Sequence, residues 1–561
     1  MREWSSAALL SVLVSLAVVT PFFFRGTASG HDIAFHMASW LDAASQWKQG
    51  VVLPRWTEWA NFGFGEPRFI FYPPLSWLFG AFLGSIIPWQ AVAVVFIACT
   101  QSLAGLSAYA ALRRMVNSKV PALIGAGCFA ANPYALLIIY MRSDFAELLA
   151  LAFFPWLLFG ALRLSGVIPQ EGGSKFRQIL LFAFPFCAIW LSNAPAAVIA
   201  SYSAALLFVV AAVRTRSLVP IAKGAAGMAL GFGFASFYMI PAIYEQRWVN
   251  IAGALAGGLT PEQNFLFAKT SDAEHDAFNV IASRVAVLLI VWALLGAIAA
   301  WRSNLQNKED SLRNGGKLIA ITTLGATAAV LMLPITEVFW RYLPELRFVQ
   351  FPWRWMSTLA VCAAAFTAIS ARGWLRWTWL LFATLAIAIS ANFLVKTAWW
   401  DSEDMPTLQT DIKNGAGFEG TDEYDPIGDD HTDLKMKDPR AKLIMAASEA
   451  CELRESKIEV RKWTAEHRVV RVSTPKPARL QLHLLNYPAW RVTVNDEGVS
   501  VQHAKGTEQM IVAVPAGESE LRIDFRRTLD RTLGGWISVT SFLGSIGFLF
   551  WKRQGPLDAK A

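Results

Sequence analysis

Charge is what this chain lacks first: 16% of its 561 residues are charged, where a soluble globular protein carries closer to a quarter. That excludes a soluble fold for most of its length. Cysteine is sparse too, five in all. Cys99, Cys128, Cys187 and Cys362 fall inside apolar runs, and only Cys451 lies in a polar stretch. With no Cys-x-x-Cys, a disulfide framework and a thiolate metal site are both excluded. A single basic patch is also missing. The formal charge is +8, but the basic residues come in short clusters between apolar runs. Such clusters are membrane topology signals, and no nucleic-acid partner follows from them.

What is present is apolar surface: the chain is 55% hydrophobic with a mean hydropathy of +0.39. Its 24 tryptophans suit rings that anchor helix ends at the headgroup level. Runs of about 20 residues, the length a bilayer core demands, fall at Trp4–Phe24, Trp89–Leu112, Val120–Tyr140, Phe145–Leu164, Phe176–Leu191 and Ala194–Val213. Others follow at Ala222–Tyr244, Arg284–Trp301, Lys317–Leu333, Trp353–Ala371, Trp374–Val395 and Leu533–Trp551. The chain is therefore expected to be a polytopic α-helical membrane protein with about twelve transmembrane helices. Tyr72–Ile87 opens with Pro73-Pro74 and is too short to cross; it suits a re-entrant or interfacial helix.

Left out of the count, that segment gives a consistent orientation. Arg2, Arg113, Arg114, Lys119, Arg163, Lys175 and Arg177 share one face with Arg214, Arg216, Lys223, Arg302, Lys308, Arg313, Lys317, Arg372, Arg376, Lys552 and Arg553. The positive-inside rule makes that face cytoplasmic, with both termini there and the protein in the cell (inner) membrane. Residues 1–395 then form a transmembrane domain whose outer loop 25–88 carries interfacial helices. Residues 396–456 form an acidic outer loop, 457–530 a β-module, and 533–551 the final span. Within the acidic loop, Asp401–Lys442 reads as solvated, or as an acceptor lid or calcium site without EF-hand spacing. From Lys457 onward apolar residues alternate, as in Leu480, Leu482, Leu484 and Leu521, Ile523, Phe525. Turn residues separate the runs, so a β-sandwich of about seven strands is expected, serving support or recognition.

The first outer loop carries the densest chemistry. Ile33, Met37, Trp40, Leu41, Ala44 and Trp47 recur at helical spacing up to Gly50, marking an amphipathic helix on the membrane surface. Asp32 stands at its start with His36 one turn on. Two compatible accounts fit: Asp32 caps the helix, or it acts as general base or metal ligand with His36 or His31 beside it. Arg142, Asp144 and Glu147 crowd a short outer turn, either as a structural ion pair or as contacts to a sugar or acceptor. Asn193 opens the next outer turn, where an added hydrogen bond to a ligand and turn chemistry alone account for it equally well. Arg341, Arg347 and Arg354 lie outside against the positive-inside bias, as snorkelling side chains or as an anion clamp.

Several motifs resemble one membrane-protein family. They are Gly30-His31-Asp32 followed by His36, Leu53-Pro54-Arg55-Trp56, Tyr72-Pro73-Pro74-Leu75 and Tyr140-Met141-Arg142-Ser143-Asp144-Phe145-Ala146-Glu147. Leu346-Arg347-Phe348-Val349-Gln350-Phe351-Pro352-Trp353-Arg354 and Asn486-Tyr487-Pro488-Ala489-Trp490 complete the set. The family is the one labelled 6-pyruvoyl-tetrahydropterin synthase-related, a relative of the YfhO-type membrane proteins, which looks like a branch of the GT-C glycosyltransferases. Pterin chemistry itself is rejected. Soluble pterin synthases hold zinc through a His-x-His cluster, and His31, His36, His275, His431, His467, His483 and His503 contain no such pair.

The resemblance implies an acid of the first outer loop at the active site, at Asp32, and a sugar donor carried on a polyprenyl phosphate or diphosphate. It makes Asp32 and His36 the candidate catalytic residues, with Asp32 the candidate ligand of a divalent cation such as Mg or Mn. His31, Arg55, Glu66, Arg142, Asp144, Glu147, Arg347 and Arg354 are the candidate substrate-binding residues. Paired acids are frequent in GT-C loops; here Asp32 is the well-placed one, with Glu58 and Glu66 as weaker partners. The expected function is transfer of a lipid-linked sugar on the outer face, with the donor and membrane lipids as partners and no oligomeric state implied. A non-catalytic protein presenting its β-module, or a lipid-linked saccharide transporter, are the alternatives; the spans are nearly free of central ionisable residues, which counts against an ion-coupled carrier.

Overall fold

Hydropathy dictates most of the architecture, and the helices follow it. The computed structural model describes residues 2–169, 174–306, 308–428, 434, 437–444 and 455–554; Cys451 and His431 lie outside them. Among the described residues ten helices are long and apolar enough to cross a membrane. An eleventh is reached if Gly315–Leu331 and Pro334–Tyr342, bent by 98°, form one span. Pro334 at the bend cannot donate to the preceding turn, so the helix breaks there. The stretch expected to span at Trp353–Ala371 is the 15-residue helix Met356–Ser370, entered through the turn Pro352–Trp355. Every residue of that helix is buried, so its run of alanines packs against other helices instead of lipid.

Tyr72–Ile87 forms the 13-residue helix Pro74–Ile86, about 20 Å long and short of the roughly 30 Å hydrocarbon core. It packs on the helix Ile33–Lys48, which is expected from its pattern to lie on the membrane surface but is enclosed by protein on both faces, with His36, Ser39, Asp42 and Gln46 buried as fully as Met37 and Trp40. Gly80 makes this possible, since a Cβ there would meet the Trp40 indole at 2.3 Å.

The segment Lys119–Arg142 is not one regular helix. Lys119–Ala130 stops, Asn132 caps a new turn at Pro133–Leu137 through the N–H groups of Tyr134 and Ala135, and Ile138–Arg142 widens into a π-helical turn. Breaks at membrane depth survive only where protein encloses them, and this segment is almost wholly buried.

On one side of the bundle the long loops meet in a β-module. Thr27–Ala28 (β1) pairs with Trp400–Asp401 (β2). The further strands are Ala441–Ile444 (β3), Lys457–Trp463 (β4), His467–Thr474 (β5), Ala478–Leu485 (β6), Trp490–Val494 (β7), Glu497–Gly498 (β8), Gln502–His503 (β9), Gln509–Val514 (β10) and Gly517–Phe525 (β11). They form two antiparallel sheets, β3-β6-β10-β9 and β4-β5-β11-β7-β8. The alternation in β6 and β11 places Leu480, Leu482, Leu484, Leu521 and Ile523 in the core between them. β3 begins ahead of Lys457, so the module recruits part of the stretch expected as an acidic loop.

The first loop completes the module. Trp56, fully buried, packs on Trp490 and Phe525, and Phe64 stacks on His483. The stretch 417–426 is docked, not free in solvent: the Thr421 N–H donates to Glu66 at 2.9 Å and the Asn61 amide to Asp425 at 3.3 Å. A second tie joins module to bundle, where Arg531 donates twice to Glu245 at 2.7 Å and the Tyr487 hydroxyl donates to the same carboxylate at 2.7 Å.

Candidate functional site

The π-helical turn ends at Arg142, and Ser143 follows in the left-handed region with φ 54. Together they aim Arg142 back over the start of the helix Ile33–Lys48. The first loop closes onto this turn through backbone groups. The Asp32 N–H donates to the Arg142 carbonyl at 2.9 Å, the Gly30 N–H to the Ser143 hydroxyl at 3.0 Å, and that hydroxyl to the Ala28 carbonyl at 2.8 Å. Gly30 is required by the approach, since a Cβ would lie 2.5 Å from the Arg142 carbonyl carbon.

Asp32 occupies the capping position of Ile33–Lys48, yet its side chain caps nothing. The capping account fails because Arg142 takes the carboxylate, through Nε at 3.1 Å and Nη2 at 2.5 Å. A charge-assisted fork outweighs a neutral N–H. Behind this pair stands a buried network. Arg142 Nη2 lies 3.7 Å from Asp144, and Arg354 lies 3.5 Å from Asp144 and 3.1 Å from Glu147. The Tyr134 hydroxyl donates to Glu147. His36, ringed by Phe35, Trp40, Tyr72 and Phe145, sets Nε2 3.5 Å from Asp144. Phe351 and Trp353 present ring faces to Arg142, and Phe351 also to Arg354. Three carboxylates, two guanidiniums and one imidazole thus share a low-dielectric pocket, where pairing offsets the cost of burial.

Burial alone would raise the pKa of Asp144, but His36, Arg142 and Arg354 outweigh it and hold the carboxyl well below its usual range. Burial, together with Asp144 and Asp32, drives Tyr72 well above 10, so it remains a phenol able to donate. Desolvation against Phe278 and the nearby Arg142 cation lower His31, which keeps its imidazole neutral.

Asp32, His36, Arg142, Asp144, Glu147 and Arg354 are brought together, with His31 at the rim. Arg354 is no open anion clamp: besides the two acids, it donates to the Val349 carbonyl at 3.0 Å and to Gln350 at 3.2 Å. Arg347 stands apart and exposed. Glu66 is fully buried and engages Arg68 at 2.5 Å. Arg55 lies by Arg531 and Glu245, its pKa lowered to about 10 by burial and by Arg531. Both belong to the seam between loop and module. Glu58 accepts from Gln49 at 2.8 Å, and Asn193 caps Ala194–Thr215.

Among the described residues no group of three His, Cys, Asp or Glu converges to hold a metal ion. The donor chemistry agrees, because Asp32, Asp144 and Glu147 are each claimed by a guanidinium, and a divalent cation would face Arg142. The residues present do not fit a bound cation. No pattern in the sequence marks Tyr134 as the partner of Glu147, Tyr72 as a neighbour of His36, or Phe351 and Trp353 as the ring faces against the arginines; the Asn132-Pro133 break inside an apolar run is the one available signal for Tyr134.

No curated protein matches the chain in sequence. Solved structures similar to the chain include two transferases. Arabinofuranosyltransferase AftD from Mycobacteria is 16% identical with a TM-score of 0.39, over 70% of this chain and 26% of that one. The oligosaccharyltransferase of Archaeoglobus fulgidus in its apo form is 15% identical with a TM-score of 0.42, over 76% of this chain and 61% of that one. The chain therefore spans about a quarter of the first protein and less than two thirds of the second. A family model for membrane proteins, described as the 6-pyruvoyl-tetrahydropterin synthase related domain, matches residues 69–400, more than half of the chain, and the chain belongs to that family.

Proposed function

We propose that this protein is a GT-C-type membrane glycosyltransferase that takes a sugar from a polyprenyl phosphate or diphosphate and transfers it on the outer face of the cell membrane. The observation that carries this reading is Asp32. Its side chain is 33% exposed while its partner Arg142 is 6% exposed, so a buried ion network presents one accessible carboxylate at the end of the spans. A group held this way costs little reorganisation when a proton moves.

In this reading Asp32 accepts the proton of the acceptor hydroxyl as the acceptor oxygen bonds to the anomeric carbon. The bond from that carbon to the phosphate oxygen breaks, and the phosphate departs with the electron pair. Arg142 orients Asp32, and His36 with Asp144 orients Arg142. Neutral His31 at the rim hydrogen-bonds the sugar. Arg347, exposed on the segment that leads to Phe351, meets the leaving phosphate, for which a planar guanidinium is suited.

Asp32→Asn tests it. Arg142 retains Asp144 at 3.7 Å, and the Asn amide oxygen can still accept from the guanidinium, so the protein should fold and melt cooperatively as wild type does. Transfer from a polyprenyl-phosphate sugar should fall at least ~100-fold, the usual minimum for losing a general base. Full activity in this variant would remove Asp32 from the chemistry. Failure of the unaltered protein with mono- and diphosphate donors alike would favour a protein that presents its β-module to a partner.

A further inference from the structure

An apolar groove of about 730 Å³ runs along the bundle between the first helix and Leu375–Thr397, floored by Lys119–Ala130 and the broken turn after it. Leu10, Val14, Gly127, Leu136, Ala388 and Ala391 line it. Small residues normally let helices close on one another; here they leave a trench. From Leu380 to Val395 the trench rises about 22 Å, more than one leaflet of a hydrocarbon core roughly 30 Å thick. Its far end is roofed by Phe22, Tyr140 and Trp400, whose rings pack together, and the Tyr140 hydroxyl is tied to the Val18 carbonyl.

Thr384 lies midway along the trench, and Asn392 near the roofed end, with Arg25 and Lys396 just beyond it. Asn392 lines the groove and makes no hydrogen bond among the described residues, and an amide facing lipid is costly unless something meets it. Lys396 lies one turn further on, exposed, and Arg25 reaches the same turn by donating to the Val395 carbonyl at 3.4 Å. Neither cation makes an ion pair among the described residues, and both stand on the face that the positive-inside rule leaves poor in positive charge. Apolar length, an unmet amide and two unpaired cations at one end match an anionic amphiphile. The aromatic roof and the β1–β2 pair close the trench beside the Asp32 loop, so a chain lying in it places its head at Arg25 and Lys396.

We infer that this groove is a binding site for a phospholipid of the outer leaflet with an anionic headgroup, one acyl chain in the trench and its phosphate on Arg25, Lys396 and Asn392. The inference holds whether or not the protein is a transferase. Native mass spectrometry of the full chain released from nanodiscs of phosphatidylglycerol and phosphatidylcholine in equal parts tests it. Phosphatidylglycerol should be retained over phosphatidylcholine by roughly tenfold, as two cations near a lipid phosphate warrant. Arg25→Gln with Lys396→Gln should abolish that preference without unfolding the protein, both side chains being exposed. Ala391→Trp, which fills the trench, should reduce retention of either lipid. Phosphatidylglycerol carrying a diazirine near its acyl end should label peptides around Leu10–Val14 and Leu380–Ala388. Equal retention of the two lipids, retention unchanged in both variants, or labelling spread over the whole bundle would each show ordinary annular lipid and overturn the site.

Discussion

Arg354 shows how a residue's partners decide its role. A guanidinium in a loop between spans invites a phosphate, but all three of its nitrogens are engaged here, by Glu147, Asp144, Gln350 and the Val349 carbonyl. Arg347, seven residues earlier in the same motif, is exposed. The two should separate on mutation. Arg354→Met leaves Glu147 buried without a guanidinium, while Asp144 keeps Arg142 and His36, and is expected to destabilise the bundle by about 3–5 kcal/mol, read as a large fall in thermal midpoint. Arg347→Lys should leave the midpoint unchanged and weaken binding of a polyprenyl-phosphate donor, since a point charge replaces a fork. Unaltered donor affinity in Arg347→Lys would return that arginine to interfacial snorkelling.

At the scale of elements, the buried helix Ile33–Lys48 does two jobs along its length. Its first turn carries Asp32 and His36 to the ion network. Its last turns carry Asp42, which is fully buried and accepts from Gln46 at 2.6 Å and from the Trp59 N–H at 2.9 Å. Burial, then Glu58, raise Asp42 from 3.8 to about 7. A carboxyl that holds its proton more tightly when folded stabilises the fold in its protonated form. That contribution is complete below about pH 4 and is lost as the pH climbs through about 7. Thermal midpoints measured between about pH 5 and pH 8 should therefore decline for wild type. Asp42→Asn, which mimics the neutral acid, should flatten the decline and be the more stable protein at the alkaline end. A wild-type profile already flat over that range would show that Asp42 is ionised in the folded state.

The whole molecule is arranged so that loops far apart in the chain converge on one side of the bundle. Residues 25–88, the Arg142 turn and the segment 334–355 touch through Asp32–Arg142 and Glu147–Arg354, and the β-module joins them through Trp56 on Trp490 and the bundle through Tyr487 and Glu245. By the positive-inside rule the basic loops predict that this side faces outward. Cysteines introduced within Asp401–Arg531 or Glu262–Asp276 should accordingly react with an impermeant reagent in intact cells, and those within Ser303–Asn314 should not. Labelling of Ser303–Asn314 would invert the orientation, and with it the face on which Asp32 works.

Much of this was readable before folding, because the signals involved are local. A run of twenty apolar residues has few fates other than a span, and period two in Leu480, Leu482 and Leu484 has few other than a half-buried strand. The short helix after Pro73-Pro74 and the existence of the helix behind Asp32 follow from the same kind of pattern, though not the burial of its polar face. Partnership is different. Asp32 meets Arg142 across 110 residues, and Arg354 meets Glu147 across 207. No periodicity says which acid a guanidinium will reach, or that Arg142 will draw Asp32 away from the helix it precedes. Those outcomes depend on burial, since in a low dielectric each charge must find its opposite, and only the packed helices decide which opposite is near.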